Sequence, residues 1–277
     1  MGISEERAGY LENLCRQFRI DVITQLYAVQ TGHPGGSLSV CEILTALYFE
    51  KARNNPQNPN DPGRDRIILS KGHAAPMLYR ILAERGYFPA DDLKTLRQFG
   101  SHLQGHPCSH GTKGVEVPTG PLGLGLGVAV GKALSLQLDK NPAYVYCILG
   151  DGELNEGTIW ESAMSASKFK LDNLIVIVDR NHVQLDGTDE EIMPLLDLGK
   201  KFDAFGFRTF SCEGHSIADI CDTIDRAKDV RSMPSVIIAE TVKGKGVSYM
   251  EGQNAWHGNP INSQYFERAI KELEATH

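Results

Sequence analysis

Along the first thirty residues, apolar positions recur at helical spacing. Leu11, Leu14, Phe18, Val22 and Leu26 share one face of a helix predicted over residues 5–30, which the glycines and proline of "TGHPGG" stop. A second helix is expected from about Ser37 through "SLSVCEILTALYFEKA". "RDRIILS" then reads as a short strand, and "KGHAAPMLYRILAERG" turns from it into a helix closed by glycine. A loop rich in Gly, Pro and His spans 100–121. The run "GLGLGVAVGKALSLQL" after it carries small residues that suit a helix packed tightly on a sheet. From 143 onward strands (143–149, 173–179, 206–211, 235–241) alternate with helices (about 157–169, 193–204, 216–229), and an amphipathic helix closes the chain at about 264–275. The strands are continuously apolar rather than alternating. This predicts an α/β fold, a parallel sheet with helices on both faces. Without an internal repeat, low-complexity tract or linker, residues 1–277 read as one domain.

Strands of a parallel sheet end on the same edge, and α/β folds bind ligands there. Asp151, in "GDG", follows one strand and Asn181, in "VDRN", follows the next, thirty residues on, which suits one crossover through a helix. A carboxylate, an amide oxygen and a loop carbonyl, here that of Val183, are hard ligands for Mg²⁺, with Ca²⁺ or Mn²⁺ as substitutes. They fill only half a shell, and Mg²⁺ usually completes its shell with water and phosphate oxygens, so a phosphorylated ligand is implied. Gly150 and Gly152 let the backbone approach, and a helix beginning near Gly157 offers amides to the anion. The letters "GDG" alone also suit a plain tight turn, and Glu156 and Glu161 alone suit acids near a helix N-terminus.

Four histidines lie in glycine-flanked loops: His33 in "TGHPGG", His73 in "KGHA", His106 in "QGHP" and His257 in "WHG". One such histidine is more often a hydrogen-bonding residue than a catalyst; four in like settings point to a polar pocket that moves protons or binds hydroxyls. His102, His106 and His110 have zinc-face spacing, but Gly105, Pro107 and Gly111 argue against a helix there. "GVAVGKA" fails as a phosphate loop, with its first glycine misplaced and Ala133 at the Ser/Thr position, and "GPLGLGLG" fails as a dinucleotide motif.

Composition narrows the classes further. A formal net charge of −7 without a basic stripe speaks against nucleic acid, and leaves any anion to be held locally, by amides or a metal. Apolar runs such as "AYVYCIL" fall far short of the ~20 residues of a membrane span, and "MGISEERAGY" has the features of neither a signal peptide nor a myristoylation motif. The six cysteines form no C-x-x-C pair and read as packing residues, so a cytoplasmic protein is expected.

With these residues laid out, the chain resembles the thiamine diphosphate-binding half of transketolase. The matches run its whole length: "TGHPGGSLS", "DRIILSKGHA", "QGHP", "GVEVPTGPLGLGLGVAVG", "GDGELNEGTIWES", "NLIVIVDRN", "LDG" and "WHGNP". The resemblance implies the thiamine diphosphate-binding fold. It implies that Asp151, Asn181 and the Val183 carbonyl hold Mg²⁺ on the cofactor's diphosphate, with Gly152 on the same group. "GPLG" (Gly120, Pro121, Leu122, Gly123) would lie against the cofactor's rings, and Leu185 of "LDG" also matches a cofactor-contact position. His33, His73, His106 and His257 match the family's active-site histidines: His73 and His257 nearest the diphosphate, His33 and His106 nearest the sugar hydroxyls, with His33 and His257 favoured for proton transfer. Glu156 and Glu161 match acids that the family places between its two active sites.

Transketolases normally continue into a pyrimidine-binding and a C-terminal domain, and a carboxylate of the former activates the cofactor. No residue here can be assigned that part, so the resemblance implies a C-terminal partner subunit in an α2β2 heterotetramer, with sugar phosphates as substrates and two-carbon ketol transfer as the reaction. Local departures bear on the sugar: "SHLQGHPC" supplies Ser101 to Gln104 before "GHP" and Cys108 after it, where relatives often carry Arg-Thr-Pro and an acid. The rivals are an E1-type 2-oxoacid dehydrogenase α subunit, a relative of deoxyxylulose-phosphate synthase, and a catalytically silent subunit. The "GHPGGS" and "KGHA" histidines favour ketol transfer, and intact Asp151 and Asn181 argue against silence.

Overall fold

Ser4 caps the first helix, α1 (Glu5–Val29), by accepting from the Arg7 amide at 3.2 Å, and Gln30 ends it in a left-handed conformation (φ 53°) whose N–H reaches the Leu26 carbonyl. The computed structural model describes residues 2–275. In it the anticipated apolar face of α1 is buried, with Leu11, Phe18 and Val22 fully enclosed. "TGHPGG" does stop α1, but it also opens the next helix. α2 (Pro34–Ser39) starts at its proline, ahead of the expected Ser37; α3 (Cys41–Ala46) follows after a break at Val40 and runs into a π-helical turn, Leu47–Lys51. Proline suits a first helical turn, and the glycines after it answer to crowding. A Cβ on Gly35 would lie 2.9 Å from the Trp256 carbonyl oxygen, and one on Gly36 3.1 Å from His73 Nε2.

Five strands, β1 (Arg66–Leu69), β2 (Val145–Gly150), β3 (Leu174–Arg180), β4 (Arg208–Glu213) and β5 (Ser235–Glu240), form one wholly parallel sheet in the order β1-β2-β3-β5-β4. The helices α4 (Ala75–Glu84), α5 (Leu124–Leu138), α6 (Gly157–Lys168), α8 (Leu198–Ala204) and α9 (Ile217–Lys228) cover it on both faces, and α10 (Ser263–Ala275) packs on α1. Tyr146, Ile148, Ile175, Ile177 and Ile237 join α1, α4 and α9 in one core; Val145, Cys147, Val176, Val178 and Val236 join α5, α6 and α8 in the other. Burial on both faces explains the continuously apolar strands. The small residues of α5 have a physical reason, since a Cβ on Gly125 would fall 2.3 Å from Ser70 Oγ at the tip of β1.

Two elements depart from expectation. The helix expected over 193–204 starts only at Leu198, where Asp197 accepts from the Lys200 amide at 3.0 Å, and a separate short helix, α7 (Asp189–Ile192), precedes it. Thr188 and Glu191 form a capping box there, a signal present in "TDEEI". All six cysteines are free and five are buried, as packing residues should be; Cys108 is half-buried. Among the described residues no helix is long and apolar enough to cross a membrane.

The chain leaves β1 for α4 on one face and β2 for α6 on the other, which opens a crevice outside the carboxyl ends of these strands, where such sheets bind ligands.

Candidate functional site

β2 and β3 end side by side, with Gly150 in register with Asp179. One residue on, the Asp151 carboxylate spans the gap between the tips: Oδ2 accepts from the His182 amide at 2.6 Å and Oδ1 from the Gly152 amide at 2.8 Å. Asn181 is buried just before His182, and its Oδ1 accepts from the Val183 amide at 3.3 Å. The two tips therefore meet, as their spacing implied. Burial first, then the carboxylates of Asp189 and Asp179, push the Asp151 carboxyl up to about 7, against the Gly152 amide and the Arg180 guanidinium.

A cavity of about 270 Å³ opens beside these tips, lined by Lys71, His73, Asp151, Asn181, Lys243 and His257 among others. Its two lysines are absent from the sequence reading, which looked for amides and a metal and found no basic stripe. Lys71, just past β1, is 1% exposed and pairs with Asp179, whose carboxylate also accepts from Ser39 Oγ at 2.6 Å and from Thr241 Oγ1. Lys243, just past β5, donates to the Val183 carbonyl at 2.9 Å and to that of Gln184 at 3.3 Å, and its Nζ lies 3.0 Å from His257 Nδ1. Burial, then the Lys71 ammonium, lowers Lys243 to about 8. Glu153 is a third omission: it accepts from the Gly123 amide at 2.8 Å, from the Gly150 amide at 3.1 Å and from Ser70 Oγ, bracing the "GPLG" loop against "GDG". The one hint of either lysine in the sequence is a glycine after it and an apolar strand shortly before it, two residues back for Lys71 and three for Lys243.

The four histidines come together. Ring centroids lie 5.4 Å apart for His33–His73 and for His33–His257, 5.0 Å for His73–His257 and 6.2 Å for His33–His106. Burial, then Arg97, His106 and Lys243, lowers His33 to about 4; burial, then Lys243, His33 and Lys71, lowers His257 to about 3. His73 and His106 are lowered too, by burial ahead of Lys71 and Arg97 respectively. All four imidazoles are thus neutral near pH 7 and keep an acceptor nitrogen.

Between their depressed values and the ordinary ~6.5, His33 and His257 bind fewer protons folded than unfolded, so their contribution to stability is present above about 6.5 and is lost as pH falls through that window. NMR titration should find both imidazoles neutral at about pH 5.5, where a free imidazole is mostly protonated. Protonation of both near the ordinary value would contradict the geometry.

The remaining expected residues divide. Leu122 and Glu156 line the cavity, as does Leu185, whose side chain is left 59% exposed. Gly120 packs near the His106 ring, and Gly123 must be glycine on two counts: its φ is +85°, and a Cβ there would strike Thr158 Oγ1 at 2.4 Å. Pro121 is exposed beside them, and Glu161 is exposed on α6, outside the cavity lining. α6 begins at Gly157 as expected, with a 3-10 turn, Gly152–Asn155, between it and β2. Residues 102–110 form no helix, as Gly105, Pro107 and Gly111 lead one to expect, and His102 Nε2 lies 3.1 Å from Asp92 Oδ2.

The donor set fits a divalent cation on a diphosphate. The Asp151 carboxylate, Asn181 amide oxygen and Val183 carbonyl are all hard oxygens, and the carbonyl's second lone pair is left when Lys243 uses the first. Two ammonium groups face the same cavity, and Gln184 Nε2 and His33 Nδ1 are buried without a hydrogen-bond partner.

Comparison with known proteins agrees with this chemistry. A family model described as transketolase, thiamine diphosphate binding domain, matches residues 11–274. The 6-deoxy-6-sulfo-D-fructose transketolase subunit of Clostridium sp. (strain MSTE9) is 44% identical over 262 residues, covering 95% of this chain and 94% of that protein. An apulose-4-phosphate transketolase subunit of Phocaeicola vulgatus is 40% identical, covering 95% of this chain and 93% of its own length. A crystal structure of transketolase from Campylobacter jejuni superposes with a TM-score of 0.90 at 34% identity, over 95% of this chain and 42% of that one.

Proposed function

The chain belongs to the transketolase family, as its thiamine diphosphate-binding part, and we propose that it is the N-terminal subunit of a split transketolase, transferring a two-carbon ketol group from a ketose phosphate to an aldose phosphate with thiamine diphosphate and Mg²⁺. The observation that carries this reading is the meeting of Asp151 and Asn181 at adjacent strand tips beside two buried ammonium groups. Asp151, Asn181 and the Val183 carbonyl hold the cation; Lys71, Lys243 and the Gly152 backbone face the diphosphate. When bound, thiamine diphosphate supplies the nucleophilic carbon at which the ketol bond is broken and remade. The chain's own part is to hold that group and to move protons. His33 and His257, neutral and 5.4 Å apart, accept from and return protons to the sugar hydroxyls, with His106 orienting them.

Two separately named subunits in other organisms align with this chain nearly end to end, which supports a partner that carries the pyrimidine-binding domain. The surface agrees with an assembly. α5 and α6 pack side by side and leave Leu124, Val128, Leu138, Met164 and Phe169 exposed, with Glu161 among them. A second copy of this chain covers that face in an α2β2 heterotetramer, and the six free thiols suit the cytoplasm. The test is reconstitution: this chain, the partner and their mixture are each assayed with Mg²⁺, thiamine diphosphate and a ketose phosphate. Only the mixture should turn over, and full activity of the isolated chain would refute the split-subunit reading.

A further inference from the structure

His33 and His106 sit on different loops, and one side chain joins them. Arg97 occupies the left-handed region (φ 60°), a conformation unfavourable for a non-glycine residue, and its amide is held by the Leu103 carbonyl at 2.8 Å. This backbone directs the guanidinium between the loops. Nη1 donates to Thr31 Oγ1 at 3.0 Å, two residues before His33, and Nη2 donates to the Gly105 carbonyl at 3.4 Å, directly before His106. Gly105 also lies flat against the guanidinium: a Cβ there would approach Cζ to 3.0 Å and both Nε and Nη2 to 3.1 Å. The glycine of "QGHP" is therefore matched to the arginine. Nε itself is buried and has no hydrogen-bond partner, so the fork is committed to its two loops on one side only.

We propose that Arg97 is a positioning residue for the sugar end of the site: its planar fork ties the Thr31–His33 loop to the Gly105–His106 loop and fixes the two imidazoles at their 6.2 Å spacing for a polyhydroxylated substrate. The proposal rests on the reading of these histidines as facing the sugar. A lysine could supply the charge but not the fork. The charge has its own consequence. His33 faces Arg97, His106, His73, His257 and Lys243; His106 faces Arg97 and His33, with the Tyr79 hydroxyl on its carbonyl at 3.2 Å and Cys108 two residues on. Of the groups facing both rings, Arg97 is the permanent cation, and after burial it heads the causes that depress each.

In the enzyme assembled with its partner, Arg97→Met should raise KM for the ketose phosphate about tenfold or more while leaving the thiamine diphosphate dissociation constant within about twofold, since Arg97 does not line the cavity beside the strand tips. Arg97→Lys should give most of the same rise. Imidazole titration by NMR on the free chain separates fork from charge: His33 and His106 titrate at higher pH in Arg97→Met and stay near the wild-type values in Arg97→Lys. Should the methionine variant fail to fold, Thr31→Val removes one hand of the clamp and should raise KM by a smaller factor with cofactor affinity unchanged. An unchanged KM in these variants, or cofactor affinity falling in step with KM, overturns the clamp. A wild-type assembly without ketol transfer would instead remove the functional reading; unmoved imidazole titrations in Arg97→Met would remove the charge effect, and unchanged His33 and His106 ring shifts in Arg97→Met at about pH 8, where both rings are neutral, would remove the clamp by itself.

Discussion

Asp151→Ala should weaken binding of Mg²⁺ with thiamine diphosphate by more than about a hundredfold and abolish ketol transfer by the assembled enzyme. Losing a residue that merely orients a metal ligand costs about 10–100-fold, and Asp151 is the single carboxylate in the donor set. The substitution also frees the His182 and Gly152 amides that the carboxylate holds at 2.6 and 2.8 Å, so the two strand tips lose their direct link. Asp151→Asn separates these effects, since the amide can keep one of those contacts but not the charge. A linked pH effect is expected in the wild type. The Asp151 carboxyl, pushed up to about 7 by burial and by Asp189 and Asp179, must give up its proton to hold a cation. Cofactor affinity should therefore fall as pH drops from about 8 to 6, with proton release on binding. Titration calorimetry in buffers of different ionisation enthalpy measures both, and pH-independent binding without proton release would contradict this account.

The second large effect concerns stability. Asp179→Ala should cost about 3–5 kcal/mol, because it leaves the Lys71 ammonium unpaired in the interior. Lys71 and Asp179 are 1% and 0% exposed. Burial pushes the Asp179 carboxyl up, but the Lys71 ammonium and the hydroxyls of Ser39 and Thr241 outweigh it and hold the group below its ordinary value. Asp179 therefore contributes stability above its unfolded pKa, lost as pH falls through its folded one. Replacing both partners with apolar residues of similar volume, Lys71→Met with Asp179→Leu, should recover much of the loss in urea denaturation while cofactor binding stays impaired. If the double variant binds the cofactor as the wild type does, Lys71 has no part in the site.

The contrast between Asp151 and Asp179 also shows what the chain made legible. Asp151 and Asn181 could be placed together because each ends a continuous apolar run, and parallel strands bring their ends to one edge. The histidines stood out through their flanking glycines. Lys71 and Lys243 did not: a single buried lysine has no periodic signature, and the residue that accounts for Lys71 lies 108 positions away at the tip of β3. The sequence places the start of α2 too late because Pro34 and its glycines are breakers in most settings, whereas here Pro34 opens the helix and the glycines fit the close approach of Trp256 and His73. Leu185 and Glu161 match functional positions of the family, and both are exposed; Leu185 borders the cavity while Glu161 lies outside its lining.

If two neighbouring strand tips of this chain hold the cation that grips the diphosphate, the cation can be located between them. Anomalous diffraction from the assembled enzyme, with Mn²⁺ in place of Mg²⁺ and thiamine diphosphate present, tests it directly. One manganese peak per site is expected within about 2.0–2.3 Å of Asp151 Oδ, Asn181 Oδ1 and the Val183 carbonyl oxygen, completed by diphosphate oxygens. A peak elsewhere, or a diphosphate seated away from Lys71 and Lys243, would contradict it.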